Sequence, residues 1–448
     1  MAESIAIWIG SGEATPRHRY VAYILFDVVL NRTVVWPTSR EEWRQWEGPK
    51  VQYGGTHDPS SGGSWVPATG WLEGNAPTHL SEHVWSDAEG PGVPGVGRLP
   101  FGVAHAEGDR VDADWWSWVF WMVTRAEERT LRPDQLDAMG RFKATQSVAF
   151  KEGWLGKPEV ECRVRAWAES QGILPESRSY SVFPTIDVDS AFAYQHRSFF
   201  RNLGATAKDL MRLDAKRLSE RWKVLVQGAH DPFDSYDWLE RIHARYGLRA
   251  RYFMLLADRG PFDRPVHWNQ PGMAQLVKHL MQSADVGIHP GVGSHEGADS
   301  GPLEAEIDRL AQLTDGPVVH ARQHYLLQSI PATWRRLEAA GIRHDHTLGY
   351  ADCIGFRAGL SRPFRAFDLE ANRPMELTLH PIAAMDATLN RYMGLNPDEA
   401  LDALETLAGE VKAVEGDFTL LWHNETVAER NEWKGWRRVY EQVFERIC

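Results

Sequence analysis

The sequence predicts an α/β fold, a parallel sheet or barrel preceded by a separate N-terminal region of α+β type. Two observations predict it. From about residue 175 onward, short apolar runs alternate with helical segments, the pattern of repeated β-then-α units. Ahead of that point the composition changes, and residues 53–112 are rich in Gly, Pro, Ser and Asp. A third observation bears on function: carboxylates and histidines collect at the ends of the apolar runs, where barrels of this kind build their active sites.

The elements follow in order. Residues 17–36 read as a helix with Tyr20, Ile24, Leu25 and Val28 on one face, then a short strand around Val34. A loop as long as 53–112 is expected to be functional or mobile. Residues 112–129 carry Trp115, Trp116, Trp118, Phe120, Trp121 and Met122, apolar on most sides, which predicts a buried helix. A boundary falls near Gly172–Pro175, giving units of 1–174 and 175–448. Beyond it, strands are expected over Ser181–Val188, 250–257, 285–289, 317–321, 376–380 and Asp417–His423, with 342–349 as a further one. Between them, Ser235 caps a helix stopped by Gly247, Leu303, Ile307 and Leu310 mark another, and Pro331 opens a third closed by Gly341. Asn396, Pro397 and Glu399 together make a cap, an N1 proline and a capping-box pair.

Composition excludes several functions. The chain has 448 residues, 43% hydrophobic and 25% charged, as in ordinary globular proteins. Its net charge is −12 and no Lys/Arg run stands out, against nucleic-acid binding. Three cysteines (Cys162, Cys353, Cys448) are too scattered for a disulfide framework or a cysteine zinc site. With no signal-peptide profile and no apolar run of the ~18 residues a membrane helix needs, the expected location is the cytoplasm. The twenty tryptophans suit cores first and sugar stacking second.

The chemistry is centred on Asp187-Val188-Asp189. Strand residues alternate in facing, so both carboxylates point the same way at a strand exit. A catalytic zinc takes three His or carboxylate ligands and keeps one position open. Asp189 and His289 are the first two candidates, and either His295 or His324 is the third. Asp187 then stands beside a cation that would lower the pKa of water toward ~7, as a general base. His423, ending the last apolar strand, is placed to protonate a leaving amine. Arg322, Asp352 and Arg357 are candidates for orienting charged groups, and Asp258, Arg259 and Trp422 for holding substrate.

Residues 175–440 resemble the polysaccharide deacetylase family, the NodB-homology carbohydrate esterases. Thr185-Ile186-Asp187-Val188-Asp189 is similar to that family's Thr-Phe-Asp-Asp-Gly motif, with one residue inserted between the carboxylates. His289 and His295 stand for its histidine pair, six apart instead of four, with His324 as rival. Arg322 matches the arginine that contacts the base, Asp352 the aspartate that tunes the acid, and Leu421-Trp422-His423 the Leu-x-His motif. The stretch at Gly140-Arg141-Phe142 and the run Gly355-Phe356-Arg357 are similar to a subgroup with an uncharacterised domain ahead of the barrel. The resemblance implies a distorted (β/α) barrel of about seven strands and a divalent-metal enzyme, with zinc the expected ion. It would hydrolyse an N-acyl group on a sugar or polysaccharide, with Asp187 as base and His423 as acid. Two other readings are a carbohydrate-binding or assembly protein that has lost activity, and an amidohydrolase of small non-sugar amides.

Overall fold

The computed structural model describes residues 4–74, 102–104, 111–295 and 301–448. Near the N-terminus, β1 (Ile5–Ile9), β2 (Val34–Val35), β3 (Lys50–Tyr53) and β4 (Ser64–Val66) form a parallel sheet in the order β2-β1-β3-β4. Of these, only the strand around Val34 is expected from the sequence. The helix expected ahead of it within 17–36 is present as Pro16–Ala22, which passes into a wider π-helical turn, Tyr23–Val29. Much of the expected long loop lies outside the described residues. Within it, β4 and the antiparallel pair β5 (Gly102–Ala104) and β6 (Val111–Ala113) are formed.

The tryptophan-rich helix spans Trp115–Val123, and every side chain in it is buried. Asp114 starts it by accepting from the Ser117 amide at 3.0 Å, and also accepts from Tyr53 Oη at 2.9 Å and Thr69 Oγ1 at 2.7 Å. Burial pushes the Asp114 carboxyl up despite these donors. The cap therefore also ties the helix to β3.

Nine strands make the large sheet: β7 (Ser181–Val188), β8 (Arg251–Met254), β9 (Asp285–Ile288), β10 (His320–Ala321), β11 (His344–Asp345), β12 (Phe364–Asp368), β13 (Arg373–Leu379), β14 (Ala384–Met385) and β15 (Asp417–His423). Their order is β12-β13-β11-β10-β9-β8-β7-β15-β14. Every pair is parallel except β12 with β13. The fold is mixed α/β. No pairing between β12 and β14 closes the sheet into a barrel among the described residues. Two strands beyond those expected explain the higher count: β12 folds back on β13 as an antiparallel edge, and β14 is two residues long.

Helices return between the strands as the caps require. Asn396 accepts from the Asp398 and Glu399 amides, and Glu399 answers at the Asn396 amide, opening the helix Pro397–Ala413. Ser235 does otherwise than expected. Its hydroxyl donates to the Asn424 carbonyl at 3.0 Å and makes no cap bond to the helix Tyr236–Arg245.

One apolar cluster runs from Ile5 to Ile447, across the boundary expected near 172–175. Polar contacts cross it too. Glu128 is buried between Arg125 and Arg357, whose charges hold its carboxyl low against the opposing effect of burial. Breaking such a buried pair on one side costs ~3–5 kcal/mol. Gly355 sits at φ +131°, where a Cβ would lie 2.2 Å from the Leu155 carbonyl oxygen. Gly355→Ala combines a disallowed φ with a backbone clash and should destabilise the chain by about 3 kcal/mol. A lowered thermal unfolding midpoint checks this, and an unchanged midpoint would show that the two segments are free to separate there.

Candidate metal centre and active site

The strand exits on one side of the sheet converge on a pocket of about 380 Å³ lined by Asp187, Asp189, His289, His324 and His423. The register accounts for this: Asp187 pairs with His423 across β7 and β15, and with Phe253 on β8. β9 then delivers His289, and the turn after β10 delivers His324.

Each histidine is oriented by a partner on its far nitrogen. His289 Nδ1 is 2.6 Å from the Arg322 carbonyl oxygen, which can only accept, so the proton is on Nδ1 and the Nε2 lone pair faces the pocket. His324 Nδ1 is 2.8 Å from Asp263 Oδ1, which turns its Nε2 inward in the same way. Asp189 lies between them, Oδ1 3.3 Å from His289 Nε2 and Oδ2 3.4 Å from His324 Nε2. Both His289 Nε2 and Asp189 Oδ1 are buried with no hydrogen-bond partner.

These orphaned atoms fit a cation. Ligands held at ~2.0–2.1 Å from a tetrahedral zinc lie ~3.3–3.4 Å apart, and each histidine nitrogen stands at that distance from one Asp189 oxygen, His289 from Oδ1 and His324 from Oδ2. The donor atoms of Asp189, His289 and His324 all lie within 4.8 Å of one another. The electrostatics agree. Burial would raise the Asp189 carboxyl, yet His324 and His289 hold it well below the usual carboxylate range. Burial opposes protonation of His324, but Asp189 and Asp263 push its pKa up to about 9. A site that binds a proton this firmly presents the field a cation needs. Among the described residues, the other triad of possible ligands is Asp237, Glu240 and His279, which is partly exposed.

Asp187 flanks the triad. Arg322 Nη1 donates to its Oδ1 at 2.8 Å, leaving Oδ2 3.5 Å from His289 Nε2. Arg322 is itself fixed by Thr185 Oγ1 at 2.8 Å and the His346 carbonyl at 2.9 Å. Opposite stands His423, whose Nδ1 donates to Asp386 Oδ1 at 2.8 Å. Burial opposes its charge, but Asp386, Asp189 and Asp187 push its pKa up to about 10. Asp386 is fully buried, with the His423 amide and Thr426 Oγ1 on its other oxygen at 2.9 and 2.6 Å.

The remaining sequence candidates lie elsewhere. His295 closes the short helix Val292–His295 and is outside the triad. Asp352 accepts from the Ala144 amide at 3.1 Å and does not reach His423. Arg357 is spent on Glu128 and the Gly349 carbonyl. Trp422 is fully buried against Tyr440 and Trp436, because it faces opposite to Leu421 and His423 on β15. Asp258 is largely exposed and pairs with Arg309 at 3.0 Å, and Arg259 lines a neighbouring cleft.

Sequence reasoning missed Asp263, Asp386 and Arg141. The first two follow runs too short or irregular to show a period, although Asp386, directly after Ile382-Ala383-Ala384-Met385, carries the same signal that singled out Asp187. Arg141 belongs to the N-terminal half and still lines the pocket, donating to the Tyr325 carbonyl at 3.0 Å and the Tyr392 hydroxyl at 2.9 Å. Tyr325 and Leu326, beside His324, both hold positive φ (59° and 56°), a strained conformation of the kind that collects at functional sites.

Residues 7–170 match a family of unknown function, DUF7033. No curated protein matches the chain. Among solved structures, it is similar to a protein of Mycobacterium smegmatis provisionally described as a polysaccharide deacetylase, at 14% identity and a TM-score of 0.39, covering 60% of this chain and 85% of that one. It is similar to a polysaccharide deacetylase of Bacillus cereus at 12% identity and a TM-score of 0.29, covering 60% and 88%. A CE4-family pseudoenzyme of Bacillus anthracis is similar at 9% identity and a TM-score of 0.30, covering 61% and 66%. At these scores the likeness assigns no role to any side chain, and the case for the pocket rests on its own geometry. No helix among the described residues is long and apolar enough to cross a membrane.

Proposed function

We propose that this chain is a metal-dependent hydrolase that removes an N-acyl group from a sugar or polysaccharide, on a sheet that is a distorted, open form of a (β/α) barrel. The observation that carries the reading is the Asp189–His289–His324 triad, with each histidine nitrogen 3.3 or 3.4 Å from an Asp189 oxygen and two ligand atoms orphaned, flanked by Asp187 and His423. A zinc ion held there would polarise the acyl carbonyl and lower the pKa of water. Asp187, held by Arg322, takes the proton of the attacking water. His423, kept charged by Asp386, gives a proton to the departing amine.

The test is metal content together with acetate release. Protein purified without chelator should hold about one divalent ion per chain and release acetate from N-acetylated oligosaccharides, and both should disappear after dialysis against a chelator. One metal per chain without acetate from any acylated sugar would favour a binding protein instead. His324→Ala should lower zinc affinity by a hundredfold or more, because it removes one of three ligands. Proton and metal also compete for His324. Below pH ~9 the histidine is protonated and must lose that proton to bind, so zinc affinity should rise about tenfold per pH unit between pH 6 and 8. Chelator competition at several pH values measures it, and a flat profile would remove His324 from the ligand set.

A further inference from the structure

A second cleft, of about 670 Å³, opens beside the metal pocket and shares Arg391, Glu425 and Trp433 with it. Its walls carry nine arginines and one lysine against three carboxylates, in a chain whose net charge is −12. The positive charge is gathered in space from distant segments around residues 197–221, 259–264, 391 and 430, so no basic run shows in the sequence. Two of the carboxylates are already engaged: Asp209 with Arg221 at 2.5 Å and Glu432 with Arg391 at 3.0 Å. Arg197, Arg201, Lys208, Arg212, Arg259 and Arg264 have no carboxylate ion-pair partner among the described residues.

The crowding has an energetic signature. Burial and then the neighbouring Arg201 pull the Arg197 guanidinium down to about 10, and burial with Arg259 and Arg264 lowers Arg201. Like charges held together in a low-dielectric cleft repel one another, and an anion entering it relieves that repulsion. The same walls offer aromatic faces. Phe200 is 81% exposed, and Phe233 and Trp433 line the cleft. Flat apolar faces beside fixed cations suit a chain of sugar rings bearing acidic substituents.

We propose that the substrate is an acidic glycan, whose carboxylate or phosphate groups lie in this cleft while its N-acyl group reaches Asp189 and the two histidines. This rests on the hydrolase reading and specifies its substrate. The geometry supports it through continuity: Arg391 and Trp433 border both cavities, so one chain spans them without leaving the protein surface.

Binding of three N-acetylated oligosaccharides of equal length to the metal-loaded full chain tests it. One is neutral, one bears uronic-acid carboxylates and one bears phosphate groups, and the last two arms tell the acid apart. Either acidic ligand should bind about tenfold or more tighter than the neutral one at low salt, and the advantage should shrink at ~0.5 M salt. In the double variant K208E/R212E the preference should fall to about twofold or less. Thermal midpoint and zinc content of that variant report whether it is folded. Equal affinities, a preference insensitive to salt, or a preference surviving both charge reversals would overturn the proposal. So would equally tight binding of a single-stranded oligonucleotide. Should no oligosaccharide release acetate while the acidic preference persists, the hydrolase reading falls alone and the cleft remains an acidic-glycan site.

Discussion

Asp187→Asn should lower kcat by a factor of about 10²–10⁴, the range for losing a positioned general base, while zinc content stays the same. Metal retention is expected because the three donors grouped to hold an ion are Asp189, His289 and His324, and Asp187 is outside that set. The substitution also weakens a buried ion pair, since Arg322 is fully buried and donates to Asp187 at 2.8 Å. Removing one partner of such a pair costs ~3–5 kcal/mol, so a loss of activity could arise from a displaced arginine alone. Thr185→Val separates the two causes. It removes the hydrogen bond from Arg322 Nη2 at 2.8 Å and leaves the carboxylate in place. A thousandfold loss in Asp187→Asn beside a loss of less than about tenfold in Thr185→Val marks proton removal as the function. Full turnover in Asp187→Asn would end the assignment of Asp187 as base.

The parts of this site that could be read from sequence share a physical reason. β7 and β15 are seven or eight residues long and mostly buried, so their apolar runs stand out and their ends are sharp. Asp187, Asp189 and His423 inherit that sharpness. His289 and His324 also follow strands, but β10 is only two residues long, and sequence alone left His324 level with His295. The choice between them depends on a contact 61 residues away, the Asp263 carboxylate that turns the His324 ring. No local pattern encodes such a contact. Asp386 is hidden in the same way behind the two-residue strand β14, and Asp352, read in its place, is occupied by the Ala144 amide. Trp422 is different, because the alternation that puts Asp187 and Asp189 on one face also puts Trp422 and His423 on opposite faces. Applied to β15, that alternation alone is enough to assign Trp422 to the core. The four-stranded N-terminal sheet was illegible for a plainer reason: its strands are two to five residues long and separated by irregular chain.

Acid should destabilise this chain below pH ~6.5, because the large sheet carries four histidines, one buried and three half-buried, that the fold keeps neutral. His320, His344, His346 and His380 come from β10, β11 and the ends of β11 and β13. His320 Nδ1 meets His346 Nε2 at 3.2 Å, and His344 Nδ1 meets His380 Nε2 at 3.0 Å. The His346 and His380 rings stack at 4.1 Å. Each pair needs one N–H and one lone pair, so full protonation would set N–H against N–H. Arg251 adds a fixed positive charge 3.3 Å from His346 and pairs with Asp285 at 2.9 Å. Burial, then Arg251 and His344, bring His320 down to about 3. Burial likewise holds His346 and His380 well below the ordinary histidine value, and lowers the more open His344.

Above pH ~6.5 these groups are neutral folded and unfolded, and contribute nothing to pH dependence. Below it the unfolded chain takes up protons that the folded cluster refuses, so stability falls by about 1.4 kcal/mol per pH unit for each histidine. His320, His346 and His380 act in the same direction, so together they draw on a total stability that is typically only about 5–15 kcal/mol. His324 and His423 do not offset the slope. Their folded pKa values are raised to about 9 and about 10, so their contribution is already complete below pH 6.5 and is lost only as pH rises. Circular dichroism should therefore show the fold being lost progressively as pH falls below ~6.5. In the double variant H320L/H346L, which removes both partners of one hydrogen bond, proton uptake on unfolding between pH 5 and 6 should fall by about two. An unchanged slope would mean that water reaches the cluster and the histidines titrate in place. The consequence for activity follows from one bond: Arg322 Nε donates to the His346 carbonyl at 2.9 Å, so disorder in the cluster releases the arginine that holds Asp187.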